Sequence, residues 1–251
     1  KEMVVISQKS KRALPKYKHP RGVSVILANS FDKSKHNVKG WWISEKLDGI
    51  RAYWDAKEGE LFTRNGFVIN APDWFVEGLP KDVNLDGELW IGRGPEDFNT
   101  MSGLSRRHVP LKGSWSKVKY FVFDAPDYPG PYEKRVKYYH KVIKKLKSKY
   151  VIPVETWEAK SNDHVIEERI RIEDMGGEGI MLRKPGSKYD KKRSSSLLKV
   201  KKFMDSEAKV VGYKKGSGKY SGVLGALNLE TIKKDNDPKL MKNEGIPIIN
   251  Y

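Results

Sequence analysis

The chain has 251 residues, room for one large domain or a large and a small one. Its 49 Lys and Arg face 32 acidic residues, and the formal charge of +17 implies self-repulsion that a polyanionic partner, nucleic acid first, would relieve. The absence of Cys excludes disulfides, thiolate nucleophiles and Cys-ligated zinc, 38% apolar residues with 7 Trp argue for a packed core, and no apolar run approaches the roughly 18–20 residues that span a bilayer.

Residues 1–24 read as a basic lead-in of Lys, Pro and short apolar pieces, with no signal-peptide core. Residues 41–54, WWISEKLDGIRAYW, read as two strands joined at LDG. KEGELFTRNGFVIN reads as a hairpin with Asn65-Gly66 in its turn, and Pro72 suits the first turn of a short helix reaching Leu79. NLDGELWI and VKYFVFDA are strand patterns. Over 132–149, Val136, Tyr139, Ile143 and Leu146 recur at helical spacing with Lys on the other faces. Ser161 can cap a helix running to about Met175, followed by strands EGIMLRK and LLKVKK.

This order lacks a strict βαβ rhythm, so an α+β main domain with mainly antiparallel sheets is expected over 25–202. From Phe203 to Tyr251 the texture changes to SEAKVVGYKKG, GVLGALNLE and IPIINY, short strand patterns between Gly- or Lys-rich turns. A small OB-type β-barrel domain is expected there, with fewer residues than five strands need.

The most pointed local string is Ser44-Glu45-Lys46-Leu47-Asp48-Gly49-Ile50-Arg51. A Lys between strand residues and followed by Asp-Gly can act as a nucleophile once its amine loses its proton, and Gly49 permits a tight turn or a close approach to a ligand. Read alone, a hairpin carrying a solvated Lys explains the string equally well. Lys199 and Lys201 are two apart in a strand pattern and so share a face, as phosphate binding needs.

EKLDGIR is similar to the nucleotidyltransferase motif KxDGxR of DNA ligases, RNA ligases and mRNA capping enzymes, and SEKLDGIRAYWD most resembles the small Lig E-type ATP-dependent DNA ligases. TRNGF, LDGELW, YFVFD, EGIMLRK and LLKVKK follow in that family's order, and FNTMSGLSRR resembles another of its segments. The resemblance spans roughly residues 25–230. It implies that Lys46 attacks the α-phosphorus of ATP to form lysyl-AMP, and that nicked double-stranded DNA is the partner, with a place in DNA repair or replication. It assigns Glu45, Arg51 and Arg64 to nucleotide contact, Glu88 to the ribose hydroxyl or a metal, and Phe123 to stacking on adenine. Glu178 would hold Mg²⁺, with Mn²⁺ able to substitute, Lys199 and Lys201 would stabilise the α-phosphate, and Asp48 would serve the DNA-dependent steps.

Arg106, Arg107 and His108 are candidates for gripping the duplex. So is KYDKKRSSS, with Lys188, Lys191, Lys192 and Arg193, pictured as a mobile basic loop that clasps phosphates. No counterpart of the family's last basic motif follows Gly225. The competing readings are an RNA ligase or a capping guanylyltransferase, or a non-catalytic protein that binds nicked DNA. A monomer is expected, and the sequence assigns no compartment.

Overall fold

The computed structural model describes residues 18–201, 208–218 and 221–231. The chain divides into two compact units at Lys202/Phe203. No helix of the described residues is long and apolar enough to cross a membrane.

The first unit is built on two sheets. One orders its strands β1 (Leu27–Ser30), β11 (Arg193–Lys201), β10 (Gly179–Arg183), β2 (Trp42–Glu45) and β9 (Trp157–Glu158). The other orders β5 (Val68–Ile69), β4 (Glu60–Phe62), β3 (Ile50–Asp55), β6 (Leu85–Trp90), β7 (Lys119–Asp124) and β8 (Val151–Pro153). Among the described residues of this unit, only the β1–β11 and β7–β8 pairs are parallel. The mainly antiparallel α+β expectation therefore holds for this unit. The LDG turn carries the chain from β2 in one sheet to β3 in the other.

Strand alternation divides each residue pair between two faces. On one face of the six-stranded sheet, Ala52, Trp54, Leu85, Leu89, Tyr120 and Val122 form the larger core. Four helices cover it: α1 (Asp73–Val76), α2 (Pro95–Ser105), α3 (Lys112–Trp115) and α4 (Tyr132–Leu146). A smaller core, with Ile43, Ile180, Leu182 and Leu198, lies between the five-stranded sheet and α5 (Asn162–Asp174).

Local chemistry explains the element ends. The Ser161 hydroxyl accepts from the amide of His164, satisfying a free N–H at the start of α5. Gly66, at φ 80°, turns the β4–β5 hairpin, where Leu61 faces Ile69. Two helices stop earlier than their sequences suggest. Helix α1 ends at Val76, after which the amides of Gly78 and Leu79 bond three residues back to Phe75 and Val76. Helix α4 ends at Leu146 because Lys147 turns left-handed, at φ 51°.

Residues 18–24, read from sequence as the end of a lead-in, belong to the body. Lys18 bridges to Phe67, and His19, buried, meets Asp55 at 2.8 Å. The second unit contributes β12 (Ala208–Lys215) paired antiparallel with β13 (Leu224–Thr231). The expected third strand, IPIINY, lies outside the described residues.

Candidate active site

Between the two sheets lies a cleft of about 560 Å³. Its walls carry Glu45 and Lys46 from the end of β2, Arg51 from β3, Glu88 from β6, Phe123 from β7, and Lys199 and Lys201 from β11, with Arg64 at the rim. A volume of this size suits a nucleotide. A smaller hollow of about 240 Å³ adjoins it and is lined by Glu45, Lys46, Asp48, Arg93 and Glu178. Lys46 and Glu45 border both.

Lys46 is held at two levels. Its amide donates to the carbonyl of Gly179 at 2.9 Å, extending the β2–β10 ladder by one bond. Its ammonium donates to Glu178 Oε2, and Lys201 Nζ donates to the other oxygen, Oε1, at 3.0 Å. Burial works to raise the Glu178 carboxyl, but the hydrogen bonds and charges of Lys46 and then Lys201 overcome it and hold it below the ordinary range. Asp48 moves the other way: burial and then the charge of Glu178 push it up.

Gly49 turns the chain at a normal φ. A Cβ there would lie 2.3 Å from the carbonyl oxygen of Leu89. The close approach that requires this glycine is thus to strand β6, not to a ligand. It seats the Lys46 turn directly on the strand that bears Glu88.

Arg51 is not a free fork. Its Nε and Nη2 donate to the two oxygens of Asp86 at 2.6 and 2.5 Å, and Nη2 also reaches the Ile26 carbonyl at 3.2 Å. Its guanidinium carbon sits 4.8 Å from the centroid of the Phe123 ring. Asp86, fully buried, also accepts the Tyr189 hydroxyl at 2.5 Å, and that hydroxyl in turn accepts from the Ile26 amide at 3.2 Å. Arg51 thus reaches the cleft with its direction already set.

Glu88, two residues from Asp86 and on the same strand face, is pushed up to about 8, chiefly by burial, with Arg51 and Lys46 pulling it back. Near neutral pH it is therefore a neutral carboxyl that can donate as well as accept. That suits a ribose hydroxyl. Among the described residues no three His, Asp or Glu side chains gather as a metal cage. Mg²⁺ does not need one, since it binds through one or two carboxylates plus substrate phosphates. Glu178 and Asp48, on the shared hollow, fit that donor set.

A second buried network closes the far end. Asp124 receives Arg135 Nε at 2.6 Å and Arg183 Nη2 at 2.9 Å, and the Tyr132 ring lies 4.9 Å from the Arg183 guanidinium carbon. Tyr132 and Arg183 both border the cleft. Sequence reading passed over Asp86, Asp124, Arg183, Tyr189 and Arg93, whose guanidinium clamps Glu45 with two 2.8 Å bonds. Asp86 carried a signal, its i,i+2 spacing from Glu88; Tyr189 carried none.

The proposed duplex-gripping residues stand outside this constellation, with one exception. Arg106, Arg107 and His108 are exposed just past α2, where Arg106 donates to the Ser102 hydroxyl. The basic segment before LLKVKK is not the mobile loop that its composition suggests. Arg193 already belongs to β11, donates to the Ala28 carbonyl and borders the larger cleft. Lys191 pairs with Asp127 at 3.0 Å, the Gly186 amide donates to Glu133, and Tyr189 is fastened as described. Lys188 and Lys192 project from this fixed segment, exposed.

Residues 25–201 match the model of the ATP dependent DNA ligase domain. The chain is 34% identical over 191 residues to the DNA ligase of Haemophilus influenzae, covering 76% of this chain and 68% of that protein. Its fold superposes on a solved Lig E DNA ligase with a TM-score of 0.73 at 35% identity, covering 83% of this chain and 80% of the other. Chlorella virus DNA ligase-adenylate shares the fold, with a TM-score of 0.60 at 22% identity over 83% of this chain and 81% of the other. The family model covers well over half of the chain and a DNA ligase is more than 30% identical to it, so the chain belongs to the ATP-dependent DNA ligase family.

Proposed function

We propose that the chain seals 3′-hydroxyl/5′-phosphate nicks in duplex DNA through AMP carried on Lys46. The observation that carries this reading is the position of the Lys46 amine, on the border of the nucleotide-sized cleft and the smaller hollow, where Glu178 takes it on one carboxylate oxygen and Lys201 on the other.

In the first step the neutral Lys46 amine attacks the α-phosphorus of ATP, a P–N bond forms, and pyrophosphate leaves. Phe123 stacks on the purine, Glu88 bonds the ribose, and Arg51 and Arg64 meet oxygen acceptors. Lys199 and Lys201 stabilise charge that builds on the α-phosphate oxygens. Mg²⁺ would be held by Glu178, with Glu88 the second candidate carboxylate, and would supply charge neutralisation to the nucleotide phosphates when bound. A 5′-phosphate oxygen of the nick then attacks the AMP phosphorus and releases Lys46. The 3′-hydroxyl finally attacks the 5′-phosphorus, forming the phosphodiester and releasing AMP.

Arg106, Arg107, Lys188, Lys191, Lys192 and Arg193 are assigned to the duplex backbone, the last of them shared with the nucleotide cleft. We assign residues 25–202 to the adenylation domain and 203–251 to an OB-type domain. Supporting the latter, β12 and β13 leave Val210, Tyr213, Leu227 and Leu229 exposed, and a lone two-stranded sheet is marginal without further cover. The enzyme is taken to act as a monomer.

The test is incubation of the full chain with labelled ATP and Mg²⁺, then with nicked duplex. A labelled adduct that nicked DNA discharges into a sealed strand is expected. Persistence of that adduct in Lys46→Ala would refute the mechanism, and labelling by GTP in preference to ATP would favour a capping enzyme.

A further inference from the structure

Helix α4 carries a charge pattern that the sealing reaction does not use. Its inner face is apolar, with Tyr139 and Ile143 packed into the larger core. Its outer face presents Lys134, Lys137, Lys141, Lys144 and Lys145, all exposed. These positions follow i, i+3, i+7, i+10 and i+11, so they form one stripe roughly 16 Å long at 1.5 Å rise per residue. Lys147 and Lys149 continue the charge past the helix end.

Among the described residues no acidic side chain pairs with this stripe. Glu133, the one acidic residue of the helix, is occupied by the Trp42 indole and the Gly186 amide. No ion pair among the described residues reaches any lysine of the stripe. Like charges three and four residues apart repel, so the fold tolerates a standing penalty along this surface.

The stripe also points away from the active site. In β6 and β7, Leu89, Tyr120 and Val122 face the core beneath α4, while Glu88 and Phe123 face the nucleotide cleft. Past its first turn, whose Tyr132 borders the cleft, helix α4 therefore packs on the opposite side of the six-stranded sheet. On the proposed function, a nick would be presented to Lys46 from the cleft side of that sheet.

We infer that the outer face of α4 binds the phosphate backbone of a second duplex segment, independently of the nick. The argument is charge complementarity. A straight row of ammonium groups at intervals of one helical turn suits a polyanion with closely and regularly spaced charges. An anionic membrane surface fits less well. None of the exposed large apolar side chains lies on α4, so the helix offers no group to insert beneath headgroups.

The experiment uses the full chain saturated with nicked duplex, titrated with a short, intact, fluorescently labelled duplex across a range of salt concentrations. A second binding event is expected, and Lys137→Glu/Lys141→Glu/Lys144→Glu should weaken it at least tenfold and make its log–log salt dependence shallower by about three. Lys46 adduct formation and sealing of a short nicked duplex, followed in parallel, should stay within twofold of the parent chain. The triple Lys→Gln variant, which adds no negative charge, should weaken the second event in the same direction. Absence of a second event, or its survival in both variants, overturns the proposal. So does a loss of short-duplex sealing equal to the loss of binding, which would place α4 in the nick-binding footprint. Binding to anionic vesicles that depends on these lysines, with duplex binding unchanged, overturns it too.

Discussion

Tyr189 donates its hydroxyl proton to Asp86 at 2.5 Å, across 103 residues of sequence. The contact ties the basic segment before β11 to the carboxylate that aims Arg51 into the nucleotide cleft. Tyr189→Phe removes this bond and leaves the Ile26 amide without its acceptor. A net hydrogen bond of this kind contributes about 1 kcal/mol. The expected result is a several-fold rise in the ATP concentration needed for half-maximal adduct formation, with a smaller change in the rate at saturation. Unchanged ATP dependence would show that Arg51 is positioned by Asp86 alone.

Glu88 gives the pH prediction. Its carboxyl ionises near 4.5 in the unfolded chain and near 8 in the folded one, chiefly because of burial. Between those pH values only the unfolded state releases the proton. This residue's contribution to stability is therefore fully present below 4.5 and disappears as pH rises through 8. Glu88→Gln has no proton to release. Its melting temperature relative to the parent chain should rise steadily from acidic pH to about 9, and scanning calorimetry reads the difference. A difference that does not vary with pH rules out the buried proton.

Asp124 is fully buried and neutralised by Arg135 and Arg183. Arg135→Ala leaves that carboxylate with a single cation and opens a cavity beneath α4. Breaking a buried pair costs about 3–5 kcal/mol, and the remaining Arg183 favours the lower end. For a domain of this size the fall in melting temperature is roughly 6–12 °C. Thermal unfolding measures it directly, and a shift near zero would mean that Arg183 alone satisfies Asp124.

Gly49→Ala tests the seat of the nucleophile. The added Cβ would meet the Leu89 carbonyl oxygen at 2.3 Å, so the turn or strand β6 must shift. Overpacking of this kind costs about 1–3 kcal/mol. Adduct formation should fall at least tenfold while the far-ultraviolet circular dichroism spectrum is kept. Full activity would show that the turn moves without carrying Lys46 with it.

Much of the cleft was legible in the sequence because its groups lie on short strands of period two. Lys199 and Lys201 share a face for that reason, and both border the cleft. The Ser161 cap and the Asn65-Gly66 turn were legible because each is a local, single-bond device. What resisted reading was long-range. Asp86 finds Tyr189, and Asp124 finds Arg183, through bonds that span 103 and 59 residues and that leave no periodicity behind. The basic composition of residues 188–193 suggested mobility, yet its order comes from partners elsewhere in the chain: Asp86, Asp127 and the Ala28 carbonyl. Composition reports charge; it is silent about anchorage.

These same long-range bonds decide how the cleft can behave. Asp124 to Arg183, Asp86 to Tyr189 and Arg51 to the Ile26 carbonyl each run from the six-stranded wall to the other side. They act as crossbars, so the walls cannot swing apart like jaws to admit a nucleotide. A purine would be gauged against a slot whose width was set when the protein folded.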